Sequence, residues 1–141
     1  MQRTIAPLVL TALLVGCSTS AVPVDRAKQA SASSVYSYQA LPATPYATLT
    51  VVRDSGFVSS GCDMGIYVDG KLVARLATKE KATFNIPAGN IVLGAGVIGE
   101  GLCGTAADRR EREVSLGAGQ VKNYRAFISS EADVDILPTT L

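Results

Sequence analysis

Three cysteines, twelve carboxylates and no histidine set the chemistry open to this chain of 141 residues. Histidine is the commonest general base near neutral pH and the commonest metal ligand, so its absence counts against an enzyme and leaves carboxylates and thiols to be weighed. Asp54, Asp63 and Glu100 fall in or beside the Gly/Ser-rich stretches that carry Cys62 and Cys103. Two carboxylates about 5–10 Å apart in a cleft can perform hydrolysis. Nothing in the spacing fixes that separation, and acids in loops are ordinarily solvated. Glu131, Asp133 and Asp135 repeat with period two, which places them on one face of a strand. Ca²⁺ wants six to eight oxygens, more than three side chains along one strand supply. They read as a solvated face protecting a sheet edge. We therefore expect no catalytic residue, no metal site and no cofactor.

Two further patterns have plain structural explanations. Gly94-Ala95-Gly96-Val97-Ile98-Gly99 matches the G-x-G-x-x-G fingerprint of dinucleotide sites. That fingerprint requires a helix whose N-terminus faces the pyrophosphate, and Glu100-Gly101-Leu102-Cys103-Gly104 is not helical in character. The expectation is a central strand whose glycines permit a bulge or a close neighbour. In Arg109-Arg110-Glu111-Arg112-Glu113, strand geometry puts Arg110 and Arg112 on one face and the other three on the opposite face. Cross-strand charge pairing is the expected use, with anion or glycan binding as the alternative.

The thiols divide by position. Arg3 is followed by the apolar run Thr4–Val15 and by Gly16 before Cys17. A charged start, a short apolar core and a small-residue exit make a secretory signal peptide, and about a dozen apolar residues fall short of a bilayer core of about 30 Å. Leu14-Val15-Gly16-Cys17 resembles the bacterial lipobox, which implies a lipidated Cys17 as first residue of the mature chain, palmitate among its acyl groups. Two or more acyl chains anchor a protein stably without a spanning helix. Ser18, not Asp, follows the cysteine, which implies the outer membrane, facing the periplasm. The remaining pair, Cys62 and Cys103, has no Cys-x-x-Cys spacing for redox work and no histidine for zinc. In an oxidising compartment such a pair most simply forms one disulfide.

The elements that must position these residues follow from composition. Removing residues 1–16 leaves 125 residues (141 − 16), enough for one domain. Twelve of the thirteen Lys/Arg and all twelve Asp/Glu remain, a formal charge of zero, so no nucleic-acid partner is expected. Residues 17–46 are rich in Ser, Ala, Thr and Pro and read as the lipidated cysteine and a flexible tether. Residues 47–141 carry short apolar runs separated by turn residues every eight to twelve positions. The runs lie around Leu49–Val51, Ile66–Val68, Leu72–Leu76, Phe84–Ile86, Ile91–Ile98, Arg109–Leu116, Gln120–Ser129 and Val134–Ile136. Asp69-Gly70 is a hairpin turn, since both positions tolerate positive φ. The predicted fold is an all-β antiparallel sandwich of seven or eight strands, immunoglobulin-like or transthyretin-like.

Ile66-Tyr67-Val68-Asp69-Gly70-Lys71, then Phe84-Asn85-Ile86-Pro87-Ala88-Gly89 and Leu116-Gly117-Ala118-Gly119-Gln120 with Tyr124-Arg125, resemble an uncharacterised family of small bacterial β-sandwich lipoproteins. The V-D-G hairpin is shared with PEGA-like surface modules, whose Pro-Glu-Gly-Ala tetrad this chain lacks. The resemblance spans roughly residues 47–137 and implies a fold and an address; the shared positions are turns and core, with no catalytic residue among them. The expectation is a non-enzymatic, lipid-anchored envelope protein acting as an accessory or interaction module for another envelope protein. A small-ligand or glycan module, using the stapled rim or the sheet face bearing Tyr67, is the alternative. A carboxylate hydrolase is the remote one.

Overall fold

The computed structural model describes residues 19–56, 61–105 and 109–141. The expected signal peptide, residues 1–16, and Cys17 lie outside the described residues. Every run read as a strand forms one: β2 (Tyr46–Arg53), β3 (Asp63–Val68), β4 (Lys71–Leu76), β5 (Glu80–Pro87), β6 (Gly89–Ile98), β7 (Arg110–Leu116), β8 (Val121–Ile128) and β9 (Val134–Pro138). A ninth, two-residue strand, β1 (Lys28–Gln29), precedes them. Among the described residues two sheets result, with strand orders β1-β5-β2-β8-β9 and β4-β3-β6-β7, and the fold is all-β.

Alternation dictates which side chains are buried between the sheets. Leu49, Val51, Phe84, Ile86, Tyr124, Ala126 and Ile136 come from the five-stranded sheet, and Met64, Ile66, Val68, Leu93, Ala95, Val97, Val114 and Leu116 from the four-stranded one. At about 25 cal/mol per Å² of apolar surface, these contacts supply the main driving force for folding. Asp69 (φ 49°) and Gly70 (φ 78°) turn the β3–β4 hairpin as expected. The Asp69 carboxylate accepts the Val92 N–H at 2.8 Å, tying that turn to β6.

Two expectations are corrected. The sandwich is not wholly antiparallel, because β2 pairs in parallel with β8, Thr48 opposite Val121 through Arg53 opposite Ala126. A tight hairpin enforces antiparallel pairing, but here five strands of the chain intervene, and a long connection allows either direction. β1 is likewise parallel to β5.

The second correction concerns the tether. From Ser20 onward the segment is pinned to the sandwich. Ser20 exchanges two backbone hydrogen bonds with Ser55, at 2.7 and 3.1 Å. Lys81 Nζ donates to the Val24 carbonyl at 2.6 Å, and Val24 N–H reaches the Leu141 carbonyl. These contacts carry residues 20–24 over the outer face of the five-stranded sheet, where Val52 is fully buried although it is not part of the inter-sheet core. The chain then seals one open side of the sandwich. Lys28 and Gln29 pair with β5, Val35 bridges Ala74 of β4, and Asn85 N–H of β5 donates to the Tyr38 carbonyl. Ala30 and Val35 enter the core. Small side chains and three prolines look like linker composition, but small side chains are also what fits a narrow seam between two sheets.

Candidate functional site

The carboxylates singled out by sequence are held separately. Asp54 follows β2, and its side chain is wholly buried. It accepts both Nε (2.8 Å) and Nη2 of Arg125 from the neighbouring strand β8, and the Val22 N–H at 3.3 Å. Burial pushes the Asp54 carboxyl above its ordinary value, and the Arg125 pairing opposes that shift. Asp63 pairs instead with Arg75 of β4 at 3.3 Å, and Glu100 is exposed. Among the described residues no group of three or more acids or thiols is arranged to hold a metal ion.

The acids of the C-terminal run are also split. Glu131 and Asp133 lie in the β8–β9 turn, and Asp135 alone is in β9, so they do not share one solvated face. Asp135 binds Arg112 of β7 at 2.8 Å, and Arg110 approaches the same oxygen at 4.0 Å. Arg110 and Arg112 sit in the core-facing row of β7 with Val114 and Leu116, opposite Ala95 and Leu93. The charge run therefore does pair oppositely, but between the sheets rather than only along one.

Cys62 and Cys103 are joined, with Cα atoms 5.5 Å apart, so the loops after β2 and after β6 converge as expected. Arg53, at the end of β2, is buried and donates Nη1 to the carbonyls of Cys62 (2.5 Å) and Leu76 (2.9 Å). Burial pulls the Arg53 guanidinium below its ordinary value, offset in part by Asp63 and Glu80. Gly99 has φ 148°, and a Cβ there would lie 2.6 Å from the Cys103 Cβ, so both conformation and packing require glycine beside the disulfide.

The glycine motif lies in β6, not at a strand-to-helix turn. Gly94 and Gly96, with Gly65 of β3 opposite Gly96, form a floor on the outer face of the four-stranded sheet. Tyr67 and Arg109 lie over it. A Cβ at Gly94 would come within 3.3 Å of Tyr67 Cβ, and one at Gly65 within 3.0 Å of Tyr67 Cε2. The Arg109 guanidinium stacks 4.4 Å from the Tyr67 ring centre and pairs with Glu111 at 2.8 Å. Missing side chains let a ring and a guanidinium lie flat. Val92 is exposed on the same outer face. At one edge, a polar cleft of about 280 Å³ is lined by Arg109, Arg110, Asp133 and Val134.

Reasoning from sequence missed Arg53 and Arg125 as structural arginines, and for Arg112 it gave the charge pairing but not the core-facing position. One signal was available for Arg112: it repeats at period two with Val114 and Leu116, which puts it in a core-facing row. No family model matches the chain, and neither does any curated protein.

Proposed function

We propose that the chain is a lipid-anchored protein of the bacterial cell envelope, held to the outer membrane through Cys17 and facing the periplasm. It serves there as a non-enzymatic accessory or interaction module for another envelope protein. The observation that carries this reading is the Leu14-Val15-Gly16-Cys17 sequence placed directly after a short apolar run. Three further observations support it. Cys62 and Cys103 are bonded, which suits an oxidising compartment. The buried carboxylate Asp54 is sealed by Arg125, and Asp135 is engaged by Arg112, in structural pairs. Arg109 stacks on Tyr67 on the outer face of the four-stranded sheet, with Val92 exposed on the same face, and aromatic and arginine side chains are enriched at protein interfaces.

Metabolic labelling with radioactive palmitate tests the anchor. The full chain takes up label and fractionates with membranes, whereas Cys17→Ser takes up none and is left unprocessed or soluble; undiminished labelling of Cys17→Ser overturns the anchor. A photo-crosslinker at position 67 tests the module. One discrete adduct recovered from intact envelopes is the expected result, and loss of that adduct in Arg109→Glu ties it to this face. The cleft of about 280 Å³ between Arg109, Arg110 and Asp133 supports a second reading, an anionic small ligand or glycan. Saturable binding of a soluble glycan, abolished by Arg110→Ala, would favour it.

A further inference from the structure

The place where the chain enters the fold limits how an anchored sandwich can stand on a membrane. We infer that the disulfide-stapled end of the sandwich lies against the lipid surface, with Leu102 in the interfacial layer. This rests on the lipid-anchor reading and adds an orientation to it.

The argument begins with reach. Three Cα–Cα steps separate Cys17 from Ser20, and each is at most about 3.8 Å, so Ser20 lies within about 11 Å of the Cys17 Cα. Among the described residues, Ser20 is the first to be hydrogen-bonded to the sandwich, through its two backbone bonds to Ser55. Thr19 already packs on Gly56, where an added Cβ would come within 2.6 Å of Thr19 Cγ2. Lipid on Cys17 therefore leaves no long spacer, and Ser55 is held close to the headgroups.

The end of the molecule that Ser55 marks is defined by direct contacts. Ser55 follows β2, whose last residue, Arg53, holds the Cys62 carbonyl. Cys62 is bonded to Cys103, and Leu102 precedes Cys103. Leu102 is 91 % exposed, more than any other large apolar side chain among the described residues. The Asp69–Gly70 hairpin lies at the other end of β3, beyond a strand of six residues, or about 20 Å at 3.3 Å per residue. A lone exposed leucine is ordinary on a protein surface. Here the covalent anchor points the surface that carries it toward lipid.

The chain has no tryptophan, so a single introduced one reports its own surroundings. Leu102→Trp and Lys71→Trp, at opposite ends and both exposed, are each purified as the full lipidated protein. They are placed in phosphatidylethanolamine/phosphatidylglycerol vesicles with brominated acyl chains. The expected result is a blue-shifted emission and loss of intensity for Trp at 102, with neither change at 71. Equal quenching at both positions, or none at 102, overturns the orientation. Mass spectrometry of the same samples separates the two failures. A protein with no lipid on residue 17 overturns both anchor and orientation, whereas a lipidated protein unquenched at 102 overturns the orientation alone.

Discussion

Arg112 and Asp135 stand on different sheets, and their side chains meet at 2.8 Å across an open side of the sandwich. The same guanidinium donates Nε to the Ile136 carbonyl at 2.6 Å, and Asp135 accepts the Ile136 N–H at 2.8 Å. β9 is the last strand of its sheet, so these backbone groups have no strand to pair with. An edge with free N–H and C=O groups invites pairing with another chain. One ion pair thus closes the side of the sandwich opposite the Lys28–Gln29 and Val35 seam, and occupies the edge that β9 would otherwise present.

Asp135 should make stability depend on pH in a defined direction. Burial pushes its carboxyl up, but the Arg112 hydrogen bond, the Ile136 N–H and the charges of Arg112 and Arg110 outweigh burial, leaving it below its ordinary value. A carboxyl that is more acidic when folded contributes stability above its unfolded value, about 3.9, and loses it as pH falls through the folded value. Asp135→Asn should cost up to about 1 kcal/mol near neutral pH, as partly exposed pairs do. The difference from wild type should vanish toward pH 2 in urea titrations. Arg112→Ala should cost more, about 1–2 kcal/mol, because the Ile136 carbonyl also loses its donor. A pH-independent cost for Asp135→Asn would refute the ion pair.

Asp54 and Arg125 predict the opposite pH behaviour. Burial raises the Asp54 carboxyl, so its contribution to stability is present below the unfolded value and falls away as pH rises through the folded one. Arg125 limits that loss. Removing one partner of a buried pair costs about 3–5 kcal/mol, since the remaining charge is left without compensation. Arg125→Ala should therefore cost about that much at pH 7 and clearly less at pH 4, where Asp54 takes up a proton. Replacing both residues with apolar ones, Asp54→Leu with Arg125→Met, should recover most of the loss. Urea midpoints for wild type and the two variants at the two pH values decide it, and equal loss in the single and double variants would show that the loss does not come from an uncompensated Asp54 charge.

The contrast between these two pairs also explains what was legible in the amino-acid sequence. Strand positions, the Asp69–Gly70 turn and the Cys62–Cys103 pairing follow from local alternation, turn chemistry and simple counting, so all were readable. The parallel β2–β8 pairing was not, because strand direction is free once the connection is long. Residues 20–39 were misread because Ala27, Ala30 and Val35 become buried only through strands far along the chain. For the candidate site, the glycine pattern was rightly placed in a strand. Its use as a floor for Tyr67 and Arg109 depends on which strand lies beside β6, which periodicity cannot say.

The disulfide should account for a large share of stability. It closes a loop with a sequence separation of 41 residues. In the chain-entropy model that is worth about 4 kcal/mol, less any strain. Cys62→Ala with Cys103→Ala should lower the melting temperature by several degrees, and reduction of the wild type should match it. An unchanged melting temperature under oxidising conditions would mean that the bond contributes nothing to the fold.

Residues 20–39 should behave as part of the domain in solution. A loose tether containing Arg26 and Lys28 would be the first place trypsin cuts, because proteases need a locally opened backbone. Here the Arg26 and Ala27 N–H groups both donate to the Pro23 carbonyl at 3.0 Å, and the Lys28 N–H donates to the Lys79 carbonyl at 2.9 Å. Cleavage after Arg26 and Lys28 should consequently be slow in native buffer and accelerate only with urea. Ala30→Asp, which places a charge where Ala30 enters the core, should release the seam and make Arg26 and Lys28 the first sites cut. Because the β2–β8 and β3–β6 pairings do not involve this segment, the released protein should keep its β-sheet circular dichroism. Rapid cutting of the wild type at Arg26 would return this part of the segment to a spacer.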